Sequence, residues 1–119
     1  NQLNGPQGIA IDTTNPSVVY ISNANQHTVV RWVLGTSVWS LAAGTNGVPG
    51  SDNTTMRFPV AVKMDPLGNL YVVDNNNHRV QLYCRYPTVL SYGRTVAGTG
   101  VAGNSRVQLH FPSGIALDK

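Results

Sequence analysis

Charge is what this chain has least of. Aspartate, glutamate, lysine and arginine make up 11% of its 119 residues, against roughly a quarter in an ordinary globular domain. Eight basic and five acidic residues leave a formal net charge of +3, and no window gathers the lysines and arginines into a polybasic patch. A weakly basic soluble surface is therefore expected, and nucleic-acid binding is not. No run approaches the roughly eighteen apolar residues needed to cross a bilayer, so no membrane span is expected. No periodic segment rich in alanine, glutamate, lysine and leucine occurs either. With seven prolines scattered along the chain, little room is left for a helix of about three turns.

Cysteine is nearly missing too. Cys84 is the single one and cannot form an internal disulfide. Placed after an apolar strand, it reads as a buried small side chain. As a nucleophile it would have only the neighbouring Arg85 to favour its thiolate, and a bridge to a cysteine outside this segment stays open. No Ser/His/Asp set, pair of carboxylates or nucleophile elbow is present. The chain begins without a methionine or a signal-like apolar region, and reads as an excised or mature segment.

What is plentiful is glycine, asparagine, threonine, serine and valine, the composition of short strands joined by tight turns. These strands repeat. Gly5-Pro6-Gln7-Gly8-Ile9-Ala10-Ile11-Asp12 is matched by Phe58-Pro59-Val60-Ala61-Val62-Lys63-Met64-Asp65 and again by Phe111-Pro112-Ser113-Gly114-Ile115-Ala116-Leu117-Asp118. The prolines and the aspartates both recur at intervals of 53 residues. After a first turn two residues longer in the first copy, Val18 to Asn23 matches Asn69 to Asp74, and Asn25 to Val29 matches Asn76 to Val80. Trp32 falls on Tyr83, and Val38 to Thr45 is answered by Thr95 to Thr99.

Each unit thus holds four short strands, placed near 8–12, 18–23, 28–34 and 37–43, then near 60–65, 70–74, 79–85 and 93–97. Val18-Val19-Tyr20-Ile21 and Leu70-Tyr71-Val72-Val73 are apolar on both faces, as strands are when their sheet is sandwiched between two others. Four-stranded antiparallel units repeated head to tail indicate a β-propeller blade rather than a sandwich.

The string from Phe58-Pro59 through Asp65, then Gly68-Asn69-Leu70-Tyr71-Val72-Val73-Asp74, then Asn77-His78-Arg79-Val80-Gln81, resembles the NHL repeat. The resemblance covers nearly the whole chain: a diverged copy at residues 1–57, the best-matching copy at 58–110, and the first strand of a third blade at 111–119. In the diverged copy Asn23 replaces the aspartate and Thr28 the arginine. What the resemblance implies is an all-β propeller of four-stranded antiparallel blades, commonly closed at six, of which this chain holds about two blades and one further strand. Two blades leave two apolar sheet faces uncovered, unfavourable at roughly 25 cal/mol per Å². The remaining blades are expected from the same longer chain or, failing that, from other copies.

The chemical motifs take their meaning from the repeat. Asp65, Asp74, His78 and Arg79 read as internal fastenings of the blade, with Arg79 pairing with Asp74 or Asp65; the other reading of Arg79 is a ligand-lining charge. Asp12 and Asp118 share the phase of Asp65, where a carboxylate accepts turn N–H groups. His27 and His78 sit at equivalent turns whose ring nitrogens can bond backbone groups. His110 lies elsewhere, and no close-spaced ligand pair accompanies any of the three. Gly98-Thr99-Gly100-Val101-Ala102-Gly103 fits a dinucleotide fingerprint letter for letter, but no helical pattern follows it, so it reads as an inter-blade turn. No cofactor and no metal is therefore expected.

Tyr20, Tyr71, Trp32 and Tyr83 recur in strands and read as packing. Trp39, Tyr86 and Tyr92 lack a partner in the other unit and are freer to be exposed. Asn53-Thr54-Thr55 is an N-glycosylation sequon in a polar loop, which favours a secreted or extracellular protein. The loops from Ala43 to Arg57 and Gly98 to His110 vary where the strands repeat. The expected role is an interaction or ligand-binding scaffold with an unidentified protein or small-ligand partner, more a binding module than an enzyme. Two alternatives come with the resemblance: part of a metal-dependent peptidyl-hydroxyglycine lyase-like enzyme, or an RNA-binding propeller.

Overall fold

The computed structural model describes residues 3–85 and 92–118. It contains two four-stranded antiparallel sheets in simple meander order. The first is built from β1 (Pro6–Ile11), β2 (Val18–Asn23), β3 (Thr28–Val33) and β4 (Trp39–Gly44), the second from β5 (Pro59–Met64), β6 (Leu70–Asp74), β7 (Arg79–Tyr83) and β8 (Arg94–Gly98). The only helical elements among the described residues are single 3-10 turns, Ala24–Gln26 and Asn75–Asn77, joining the second and third strands of each sheet. The propeller-blade reading of the sequence and the near-absence of helix both hold.

The repeat extends to irregularities. Each first strand slips register just after its proline, between Pro6 and Gly8 and between Pro59 and Ala61. Each third strand slips against the fourth at Val29/Val30 and at Val80/Gln81. A proline lacks the N–H that a continuous ladder needs, so the bulge falls where that donor is missing. The strands start and stop within one or two residues of the expected limits.

One face of the first sheet packs against the opposite face of the second. Val18, Tyr20, Val29 and Ala43 meet Val62, Met64, Leu70, Val72 and Tyr83, with Met56 from the connecting loop filling the seam. Burying each of the larger aliphatic side chains here contributes about 1.5–3 kcal/mol. Strand β1 lies closest to β5: a Cβ on Gly8 would stand 2.9 Å from the Ala61 Cα and 3.0 Å from the Val60 carbonyl oxygen. Only the absence of a side chain lets the innermost strands approach so far.

Burial on both faces holds for β2, β6 and β7 but not throughout. On the far side of the first sheet, Ile9–Ile21–Val30–Leu41 and Ile11–Val19–Trp32–Trp39 form two cross-strand rows. Within these rows Ile9 is 62% and Ile11 61% exposed. Among the described residues no sheet lies against that face. Residues 112–118, expected as the first strand of a third blade, form no ladder. A strand is held by a hydrogen-bonded neighbour, and the second strand that would pair with it is not among the 119 residues. Trp39 and Tyr92 are exposed, as expected, while Tyr86 lies outside the described residues. No helix among the described residues is long and apolar enough to cross a membrane.

Candidate functional site

The polar residues that recur in the sequence converge at the seam between the sheets. Asp74, at the end of β6, is fully buried and accepts three hydrogen bonds: the Arg57 N–H at 2.7 Å, the Asn77 amide at 2.8 Å and Arg79 Nε at 2.8 Å. Arg79, opposite it on β7, spends the rest of its guanidinium on the incoming loop. It donates to the carbonyls of Ser51 (2.9 Å), Asp52 (3.0 Å) and Thr55 (3.0 Å). Asn77 donates to Gly50 at 2.7 Å. Arg79 therefore pairs with Asp74 and not with Asp65, and the planar fork serves a carboxylate and three carbonyls at once. In the first sheet Asn23 takes the part of Asp74, accepting the Asn4 N–H at 2.6 Å. Thr28, in the place of Arg79, is buried with its hydroxyl unpartnered among the described residues.

The two equivalent histidines do identical work at successive seams. His27 and His78 follow the 3-10 turns in the left-handed region, with φ of 61° and 54°. His27 Nδ1 accepts the Phe58 N–H at 3.0 Å, and His78 Nδ1 accepts the Phe111 N–H at 3.0 Å. Phe58 and Phe111 are themselves left-handed, with φ of 58° and 46°, at the position Gly5 fills with φ of 66° in the first copy. A bulky residue held there costs roughly 1–2 kcal/mol, so the imidazole fixes a conformation that only glycine adopts freely. Burial, with the nearby Arg57, holds His27 below its ordinary 6.5 against the opposing pull of Asp74.

Asp12 and Asp65 share a phase but not an environment. Asp65 accepts from the Leu67 and Asn69 N–H groups and from the Asn69 amide at 2.9–3.0 Å. Burial opposes ionisation, yet these bonds hold its carboxyl below the ordinary value. Asp12 is almost fully buried and bridges the sheets. Its carboxylate accepts both ends of the Arg85 guanidinium at 3.1 Å, and both the backbone N–H (2.8 Å) and the hydroxyl (2.6 Å) of Thr14. Burial alone would push the Asp12 carboxyl up, but the Arg85 and Thr14 bonds outweigh it and bring it down from 3.8 to about 2. Sequence reading missed this bridge, because Arg85 falls on Leu34 in the other copy and leaves no repeat signal.

This strand–turn–strand geometry coincides with a family match: residues 56–83 fit the family model of the NHL repeat. The chain carries an NHL repeat. Compared with curated proteins, it matches none. The matched stretch runs from the seam residue Met56 to Tyr83 and so includes Asp65, Asp74, His78 and Arg79.

Within and beside the NHL repeat, the remaining candidate residues fall as follows. No helix follows the fingerprint-like glycines at 98–103. Gly98 has φ of 81° and lies against the His78 carbonyl, as Gly44 lies against that of His27, so each glycine lets the chain leave the sheet beneath the histidine turn. His78 and His110 rings stand 5.8 Å apart, edge to face. His27 belongs to the other seam, and among the described residues no three potential ligands gather for a metal. Cys84 is half-buried and free. Asn53 is exposed; its carbonyl accepts the Gly93 N–H at 2.8 Å, while the Thr55 hydroxyl is engaged by Asp52. Burial pushes the Tyr83 phenol up, and its hydroxyl has no partner among the described residues.

Proposed function

We propose that this chain is a non-catalytic segment of an NHL β-propeller that serves as an interaction or ligand-binding scaffold in the extracellular space. Its blades occupy residues 1–57 and 58–110, residues 111–119 begin a third, and the complete ring has six. The observation that carries the reading is that Asp74, Arg79, Asn77 and the Nδ1 atoms of His27 and His78 are spent on internal bonds. Recognition is thereby left to the loops. At the end of the sheets that bears the histidine turns, each blade presents an exposed valine, Val48 in one and Val101 in the next. A ring of such blades offers a repeated apolar contact framed by threonine and asparagine.

The test is made on the complete propeller against a panel of extracellular proteins and peptides. V48D and V101D are expected to abolish binding without changing the thermal midpoint. Stoichiometric metal with lyase turnover would overturn the reading, and so would RNA binding with a steep salt slope, the mark of phosphate contacts. Extracellular residence rests on the sequon. Protein secreted from eukaryotic cells is expected to lose mass on deglycosylation, and the N53Q variant is expected to lack that change.

A further inference from the structure

The second sheet ends in a loop built like the one that Arg79 locks in the first seam, and among the described residues no side chain locks it in that way. Gly50 N–H donates to Met56 at 3.1 Å, and Gly103 N–H to Leu109 at 3.2 Å. Asp52 N–H donates to the Thr55 hydroxyl at 3.2 Å, and Ser105 N–H to Gln108 Oε1 at 3.4 Å. Both loops leave over a left-handed glycine and both end on a histidine-held phenylalanine. In this alignment the carbonyls of Ser51, Asp52 and Thr55 correspond to those of Asn104, Ser105 and Gln108. Beside the second loop runs a groove of about 410 Å³ between β8 and residues 106–109. Its walls include Ala97 and Leu109, the counterparts of Ala43 and Met56, which in the first seam share a core with Tyr83.

We propose that this loop and groove form a receptor for one kind of blade. That blade brings an arginine for the carbonyls of residues 104, 105 and 108, an aspartate and an asparagine to hold the arginine as Asp74 and Asn77 do, and a tyrosine for the groove. The first blade of a second copy does not qualify, because it carries Asn23, Gln26 and Thr28 at those three positions and Trp32 at the fourth. The second blade of another copy has the right residues, but its matching face is already covered by its own first blade. The receptor therefore selects a further clamp-bearing blade and rejects head-to-tail stacking of this chain. The inference goes beyond the scaffold reading and does not depend on what the loops bind.

The test extends the full chain in two ways after Asp118: with a copy of residues 66–119, which brings the clamp, or with a copy of residues 13–65, which brings asparagine and threonine instead. Amide exchange at residues 104–108 is expected to slow about tenfold or more with the first extension and to stay near the parent rate with the second. Changing the appended arginine to threonine is expected to remove the protection. Equal protection from both extensions would overturn the proposal. So would self-association of the parent chain that protects residues 104–108. Should an extension not fold, R79K in the parent chain keeps the charge beside Asp74 but loses the fork, and exchange at residues 51–55 is expected to quicken. Unchanged exchange there would refute the clamp itself, and with it the receptor.

Discussion

Replacing Arg79 by alanine strikes the seam at its most connected point. The substitution removes the ion pair to a fully buried Asp74 and strips three loop carbonyls of their donor. Asp74 keeps the Arg57 N–H and the Asn77 amide, so the carboxylate is not orphaned, but it is left buried without a countercharge. Breaking a buried pair from one side costs about 3–5 kcal/mol, a large share of the 5–15 kcal/mol that holds an ordinary domain together. Urea unfolding followed by tryptophan fluorescence reads it directly, with R79A lowering the midpoint at a nearly unchanged slope. The companion D74N/R79A should recover part of the loss, because the first sheet already uses Asn23 to accept the same backbone N–H. If R79A falls within about 1 kcal/mol of the parent, outside the usual cost of a broken buried pair, the seam does not rest on this cluster and the reasoning fails.

Three further outcomes are expected. Asp12 titrates in the folded chain at about 2 against an ordinary 3.8, so its stabilisation is complete above the ordinary value and is lost as pH falls towards 2; R85L should move acid unfolding to higher pH, and an unshifted acid limb would count against the bridge. His27 is held below 6.5, so stability is full above that pH and declines beneath it. H27N, which tolerates the left-handed backbone and does not titrate in this range, should flatten the decline measured by thermal midpoints from pH 7 to 5. Finally, M56A should cost about 2–5 kcal/mol as a buried truncation, whereas L109A, its half-buried repeat counterpart, should cost far less; equal losses would contradict the difference in packing.

The strands were legible because apolar runs and turn residues recur at a fixed interval, and a repeat cannot bury its faces except against its neighbours. Asp74, Arg79 and His78 were legible as a group for the same reason, though not the identity of each partner. What escaped was whatever the repeat does not carry. The Asp12–Arg85 bridge joins residues 73 positions apart, one of which has only Leu34 as its counterpart. The loop at 50–55, which reads as free and variable, is held through its backbone by Arg79 and Asn77. Backbone carbonyls are the same in every sequence, so such a grip leaves no trace in side-chain identity. Residues 112–118 carry a strand pattern without forming a ladder, because pairing depends on a neighbour and not on the segment alone.

The histidine turns bear on how such a chain tolerates change over evolutionary time. Both units run 53 residues from proline to proline, yet their turns differ: by two residues after the first strand, by three between the third and fourth strands, and by one around Asn46-Gly47 against Gly100. Each imidazole captures one N–H at the threshold of the following unit, so the count restarts there. The same bond forms after turns of different length, so a change within one unit is compatible with an unchanged start to the next. The His78–Phe111 bond matches the His27–Phe58 bond although residues 112–118 form no ladder, so marking the start of a unit does not require its first strand to be paired.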